Sequence, residues 1–179
     1  MKRPQGRFID FPKRVPMHSD ALRLIDELAL SAHPEGGYYR EIFRSPNQVE
    51  DRAGRARSAL TVIYYLLTAE AHSTWHRLTS DETWHFACGS PLLLGLISED
   101  GAHEVCRLAS DGPWQATVPA GCAFAARVGD AGGFSLVTCC VAPGFEFADF
   151  ELLDSEKMIG AYPRHVAAIR RYARTASAT

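Results

Sequence analysis

The stretch from Thr74 to Gly89 contains the side chains of this sequence that are best suited to proton transfer. His76 and Glu82 lie on two predicted strands of this stretch, joined by a short turn. A carboxylate that faces an apolar interior has a raised pKa and needs a hydrogen-bonding partner. An imidazole opposite it completes an acid–base pair that works near neutral pH. We therefore predict His76 and Glu82 as catalytic residues, against the alternative that His76 is a buried structural histidine.

The two-residue repeat of a β-strand determines which neighbours of Glu82 share its face. If Glu82 faces inward, Trp84 and Phe86 do so too, while His85 faces outward unless a bulge resets the alternation. Buried aromatic rings usually pack in the hydrophobic core, but rings at the mouth of a barrel also stack on sugars or bases. We place Trp84, His85, Phe86 and Phe124 among the ligand-binding candidates, with core packing or an outer-face position as the alternatives.

A second polar group follows the predicted N-terminal helix, where Gly36 and Gly37 permit a tight turn into the first strand. Tyr38 and Arg40 alternate on that strand and share a face, so both can donate to an anionic or hydroxylated ligand. We predict that Glu35, Tyr38 and Arg40 bind the ligand. An ion pair between Arg40 and a nearby carboxylate is the alternative.

The elements that carry these residues are mostly strands. A helix begins near Ser19 and ends before His33-Pro34, and two shorter helices follow Asp154. Between them, Gly, Pro, Asp and Ser punctuate about nine strand-like runs, a spacing typical of a sandwich or barrel. The polar interval 45–57 predicts a loop. The predicted strands cover residues 38–44, 58–67, 74–78, 83–88, 92–97, 103–108, 115–118, 123–128 and 134–141.

Length and composition limit the organisation of the chain. Its 179 residues correspond to one domain, and 46% hydrophobic with 22% charged residues is typical of a globular core. Residues 1–18 mix charges with prolines and predict a mobile arm. Residues 19–174 are then the single domain, and residues 175–179 a frayed tail.

Charge and apolar pattern exclude several classes of partner. The net charge of -2 lacks the basic excess that binds nucleic-acid backbones. No run approaches the roughly 20 apolar residues of a membrane span, and the N-terminus lacks the apolar core of a secretory signal. Five cysteines, two of them adjacent, do not fit a disulfide framework. We therefore expect a cytoplasmic protein with neither a nucleic-acid nor a membrane partner.

Several motifs of this sequence resemble a known family. The segments 82–89 and 118–121 look like the two signature motifs of the cupin superfamily, and others resemble its DUF985 (Cupin_5) family over about residues 20–172. The resemblance implies a double-stranded β-helix, the jelly-roll cupin barrel, with a small-molecule pocket inside and a homodimeric assembly. The segments that carry the family resemblance are 33–41, 63–67, 76–77, 80–86, 141–145 and 149–152.

The resemblance also implies a metal centre that this sequence matches only in part. Metal-binding cupins have two histidines separated by one residue, then a glutamate, and a third histidine after the glycine of the second motif. His76 and Glu82 can stand for one histidine and the glutamate, but Leu78 and Phe124 occupy the other two positions. His85 completes a reduced set only if it faces inward, against the strand alternation. We therefore expect no cofactor, with a divalent metal on His76, Glu82 and His85 as the alternative.

Three functions remain open from the sequence. The first is a metal-independent isomerase, epimerase or lyase for a small carbohydrate-like or carboxylated substrate, in which His76 and Glu82 exchange protons and Tyr38 or Arg40 orients the substrate. The second is a small-molecule binding module without catalysis, and the third is a metal-dependent enzyme with a reduced ligand set. Because a jelly roll of this size leaves open sheet edges, we also expect a homodimer.

Overall fold

The computed structural model describes residues 17–173 and confirms an all-β architecture with helices at both ends. All nine predicted strands form within these residues, and four short strands add to them. In chain order the strands are β1 (Ser31–Ala32), β2 (Tyr38–Arg44), β3 (Gln48–Glu50), β4 (Ala56–Ser58), β5 (Thr61–Thr68), β6 (Ser73–Leu78), β7 (Asp81–Gly89), β8 (Leu92–Ile97), β9 (His103–Leu108), β10 (Gln115–Val118), β11 (Ala123–Val128), β12 (Phe134–Ala142) and β13 (Phe150–Leu152). The helices are α1 (Ser19–Glu27), α2 (Ser155–Ala161) and α3 (Val166–Arg171), with 3₁₀ turns at Phe147–Asp149 and Pro163–His165.

Eleven of these strands form two antiparallel sheets that pack face to face, as expected for a jelly roll. A six-stranded sheet has the order β1-β2-β5-β12-β7-β10, and a five-stranded sheet has the order β13-β6-β11-β8-β9. Large side chains from both sheets, including Tyr65, Trp84 and Phe124, fill the space between them. Inward-facing side chains of the two sheets therefore either pack in this core or line a cavity within it.

The predicted short turn between β6 and β7 joins strands of two different sheets rather than neighbouring strands of one sheet. Only Thr79 and Ser80 separate the two strands, yet β6 pairs with β11 and β13 in one sheet while β7 pairs with β10 and β12 in the other. The turn thus crosses the gap between the sheets. His76 and Glu82 consequently approach the interior from opposite sheets rather than from neighbouring strands.

Helices cover the outer faces of both sheets. On the six-stranded sheet, α1 packs Ala21 against Leu66 and Leu136. On the five-stranded sheet, α2 and α3 cover Trp75, whose Nε1 donates to the Ile169 carbonyl at 3.0 Å. These helices therefore bury apolar side chains on the outer faces of both sheets.

The interval 45–57, predicted as a loop, contains a small hairpin formed by β3 and β4. Asp51 lies in its turn, where Oδ1 accepts hydrogen bonds from the amides of Ala53 and Arg55 at 2.9 and 2.8 Å. Strands of three residues with mostly exposed side chains carry too little hydrophobic alternation to be recognised in a sequence.

The predicted arm and tail fall mostly outside the described residues. Of residues 1–18 only Met17 and His18 are described, and Met17 packs on the apolar cluster beneath α1. The predicted tail 175–179 is not among the described residues. Between residues 17 and 173, no helix has the length and apolar character needed to cross a membrane.

Candidate active site

A cavity of about 150 Å³ lies between the two sheets. Strands β2, β5, β7 and β12 of the six-stranded sheet and β6 of the five-stranded sheet contribute to its wall, and the segment 145–150 closes one side. Apolar and aromatic side chains form most of the wall and a few ionisable groups interrupt it. This is the usual composition of a small-molecule site.

His76 and Glu35 form the central polar contact of the cavity. His76 Nδ1 lies 2.7 Å from the carbonyl oxygen of Thr74, and since a carbonyl can only accept, Nδ1 carries a hydrogen. His76 Nε2 lies 3.1 Å from Glu35 Oε2. The imidazole and the carboxylate are thus close enough to exchange a proton directly.

Glu35 is held through its side chain and through the turn that follows it. Ser73 Oγ donates to Glu35 Oε1 at 2.9 Å. Gly36 has a φ of 116°, and a Cβ at this position would collide with the carbonyl of His72. Tyr65 Oη donates to the Gly36 carbonyl at 2.6 Å and so fixes the turn from inside the barrel. The glycine turn is thus what brings Glu35 to the cavity.

Glu82 faces the same cavity from β7, with 6% of its surface exposed. Burial raises the pKa of Glu82 from 4.5 to about 8, and the negative charge of Glu35 adds to this increase. The side chain of Glu82 is therefore a protonated carboxylic acid at neutral pH. Burial also raises the pKa of the Cys139 thiol, which lines the cavity as well and stays protonated. Glu82 can thus donate a hydrogen bond or a proton into the cavity.

The structure brings three predicted residues together but pairs them differently. Glu35, His76 and Glu82 all line the cavity, as predicted. The imidazole of His76 contacts Glu35, however, and not Glu82. The direct contact of His76 is therefore with Glu35, while Glu82 approaches the same cavity from the opposite sheet. Glu82 remains as a separate acid.

Tyr38 and Arg40 lie on the face of β2 that points away from the cavity, so their predicted position was wrong. Tyr38 packs in the cluster beneath α1, and Arg40 donates to the Leu28 carbonyl at 2.9 Å. Strand alternation places Tyr39 and Glu41 in the cavity wall instead. The prediction grouped two residues that do share a face, but alternation in a strand without an apolar anchor does not say which face is inward.

The remaining ligand-binding candidates lie outside the cavity lining formed by the described residues. Trp84 and Phe124 are buried in the core, and the Phe124 ring packs on the ring of His76 with a centroid distance of 3.9 Å. Phe86 is half-buried against the same core. His85 is exposed, as the alternation from Glu82 predicted, and it does not line this cavity.

His33 is a cavity residue that sequence reasoning missed, since there it only marked the end of the helix. Its side chain is 8% exposed and its ring lies 4.6, 6.5 and 6.1 Å from the rings of Tyr39, Phe147 and Phe150. Burial lowers the pKa of His33, although the nearby Glu35 acts in the opposite direction, so the ring is neutral at neutral pH. The signal in the sequence that could have identified His33 as a cavity residue is its position two residues before a glutamate at a glycine turn.

Arg44 lies at the rim of the cavity between two glutamates. Its Nε and Nη2 donate to Glu41 at 3.0 and 2.8 Å, and its Nη1 donates to Glu146 at 2.7 Å. Nη2 also donates to the Phe145 carbonyl at 3.1 Å. Sequence reasoning could not find this cluster, because Arg44 and Glu146 are 102 positions apart.

The side chains present do not fit the metal centre of metal-binding cupins. Within residues 17–173, no three His, Cys, Asp or Glu side chains are grouped to hold a metal ion. Leu78 is buried in the core, Phe124 packs on the His76 ring, and His76 Nε2 already contacts Glu35. Two apolar side chains therefore stand where the other two histidines would donate.

Comparisons with known proteins agree with this fold. The family model Cupin_5, cupin superfamily (DUF985), matches residues 22–153. A hypothetical protein from Leishmania major is 37% identical, covering 87% of this chain and 99% of that protein's chain, with a TM-score of 0.82. A protein from Shewanella oneidensis is also 37% identical, covering 89% of this chain and 99% of its own, with a TM-score of 0.79.

A more distant likeness concerns the fold alone. Oxalate decarboxylase from Bacillus subtilis is 14% identical, with a TM-score of 0.53 over 79% of this chain and 36% of its own. A search of curated proteins found no match. From the family match and the two relatives at 37% identity, we conclude that this chain belongs to the Cupin_5 (DUF985) family of the cupin superfamily.

Proposed function

We propose that this chain is an acid–base enzyme that moves a proton on a small carbohydrate-like molecule in the cavity, as an isomerase, epimerase or lyase does, without a metal. One observation carries the proposal. A protonated acid, Glu82, and a histidine–carboxylate pair, His76 with Glu35, line the same cavity. Proton shifts next to a carbonyl group need one group that accepts and another that donates in one site.

In the proposed reaction the pair acts as the base and Glu82 acts as the acid. Glu35, as a carboxylate beside the His76 imidazolium, takes a proton from a carbon next to a carbonyl group. The electron pair of the broken C–H bond forms a C=C bond, and the carbonyl oxygen takes the proton of Glu82. When Glu82 recovers a proton from the neighbouring hydroxyl group and the pair returns its proton to carbon, the isomer forms and both groups are restored.

Solvent deuterium exchange tests this proposal before any product is known. A panel of free aldoses and ketoses is incubated with the protein in D₂O, and deuterium at carbon is followed by proton NMR. We expect incorporation with the unaltered protein and a loss of at least about 100-fold in Glu82→Gln, because the amide cannot supply the proton of a carboxylic acid.

Glu104→Gln is the matched control, since Glu104 is exposed on β9 and lies outside the cavity lining. This variant should exchange at the unaltered rate. The proposal is contradicted if Glu82→Gln exchanges at the same rate as the unaltered protein. It is also contradicted if the unaltered protein incorporates deuterium into no sugar of the panel.

A binding module without catalysis is the second candidate. The aromatic wall formed by Tyr39, Phe145 and Phe147 favours it, because such rings offer flat faces to a sugar ring. Sugar binding without deuterium exchange would identify this function. Stoichiometric iron, manganese, nickel or zinc in protein purified without an affinity tag, lost in His76→Ala, would instead overturn the metal-free proposal.

A further inference from the structure

Arg44 is the only arginine or lysine among the described residues that line the cavity, and its donors are nearly all in use. A guanidinium group has five N–H donors. Glu41 takes two of them, Glu146 takes one and the Phe145 carbonyl takes one. An anionic group that sought this cation would have to displace a carboxylate that already holds it.

The interior of the cavity offers no further positive charge to an anion. A positive charge on His76 would lie 3.1 Å from the Glu35 carboxylate, which would balance it. His33 is neutral because burial lowers its pKa, and Glu82 is neutral because burial raises its pKa to about 8. The interior thus presents hydrogen-bonding groups without net charge.

The rim carries the net charge of the site. Glu41 and Glu146 contribute two negative charges against the single positive charge of Arg44. The three side chains are 36–47% exposed, so water and salt weaken this field but do not remove it. A ligand that enters the cavity therefore passes a rim with an excess of one negative charge.

We infer that the cavity selects a neutral, hydroxylated ligand with a flat apolar face, and that the Glu41–Arg44–Glu146 rim excludes carboxylated sugars and sugar phosphates. The inference rests on the proposed function and narrows its substrate class. Tyr39, Phe147 and neutral hydrogen-bonding groups suit the two faces of a sugar ring. Like charges at the rim oppose an anion during entry and in the bound state.

Saturation-transfer NMR titrations at pH 7 with three matched pairs of sugars test this inference. The pairs are glucose with glucuronate, galactose with galacturonate, and mannose with mannuronate. For at least one pair we expect the neutral sugar to bind about tenfold more tightly than its acid. The double variant Glu41→Gln and Glu146→Gln leaves Arg44 with unused donors. This variant should bind the acid about tenfold more tightly than the unaltered protein does, and its preference for the neutral sugar should disappear.

The control is the double variant Glu70→Gln and Glu104→Gln, which changes the total charge equally but at exposed positions outside the cavity lining. It should keep the neutral preference. Tighter binding of the acids by the unaltered protein, no binding of any of the six sugars, or an unchanged preference in the rim variant would overturn the inference. Binding of a neutral sugar without deuterium exchange would refute catalysis and leave this inference standing.

Discussion

At the scale of single residues, Glu82 links the chemistry of the cavity to the stability of the fold. Its pKa of about 8 in the folded protein compares with an ordinary value of 4.5, and burial is the main cause. Between these two values the folded state binds more protons than the unfolded state, so the free energy of unfolding decreases as pH rises. Above about pH 8 the full cost of a buried carboxylate is present.

We expect Glu82→Gln to remove this pH dependence. The amide keeps the size of the side chain but does not ionise. Its stability relative to the unaltered protein should therefore rise by roughly 3–5 kcal/mol between pH 5 and pH 9. Urea unfolding of both proteins at the two pH values measures this difference. Parallel pH profiles would show that Glu82 ionises normally in the folded protein.

Strand alternation predicted the inward face correctly for β7 but not for β2, and the difference lies in the residues around each site. On β7, the buried Trp84 anchors the inward face, and the positions of Glu82 and His85 followed from it. On β2, which has polar and apolar side chains on both faces, the turn at Gly36 and Gly37 decides which face is inward. The sequence shows that a turn occurs there but not the direction in which the strand leaves it.

At the scale of elements, the β3–β4 hairpin anchors the segment that closes the cavity. Arg57 donates from Nε and Nη2 to the two carboxylate oxygens of Asp149 at 2.7 and 3.2 Å, and Arg55 Nη2 lies 2.7 Å from Asp149 Oδ1. Asp149 ends the 3₁₀ turn that begins at Phe147, a residue of the cavity wall. The hairpin therefore fixes the aromatic side of the cavity.

We expect Asp149→Asn to loosen this segment without unfolding the barrel. Loss of the charge-assisted hydrogen bonds should accelerate hydrogen–deuterium exchange over residues 145–152 by about tenfold, while β5 and β12 keep their protection. Mass spectrometry of peptic fragments measures both regions.

Asp111→Asn provides the control for this experiment, because it removes a surface ion pair with Arg107 at 2.9 Å that lies outside the cavity lining. Its exchange over 145–152 should match that of the unaltered protein. The expectation for Asp149 is wrong if both variants exchange alike.

Strand positions were easier to predict than strand partners. Glycine, proline and small polar residues mark the ends of β8, β9 and β11, whose predicted bounds are those observed. The pairing of each strand depends on residues far away in the chain, such as the 92 positions between Arg57 and Asp149. A single sequence carries no record of such contacts, so the sheet crossing after β6 and the anchoring hairpin emerged only from the structure.

At the scale of the whole molecule, we predict a homodimer. Both sheets have open edge strands, and the apolar side chains of Ile42, Phe43 and Val49 are more than a third exposed. A second copy that covers such a surface would remove it from water. Static light scattering at micromolar concentration should give twice the chain mass of 19.7 kDa, and a particle of the single-chain mass would contradict the prediction.

The place of β12 between β5 and β7 determines when the site can form during protein synthesis. β5 and β7 leave the ribosome well before β12, the strand that joins them, and the wall that carries Glu82 cannot close until Ala142 has emerged. Until then the apolar run of β5 has only β2 as a sheet neighbour. The apolar β5 strand of the nascent chain therefore lacks one of its two sheet neighbours from its own emergence until that of β12, and the cavity forms only in the later part of synthesis.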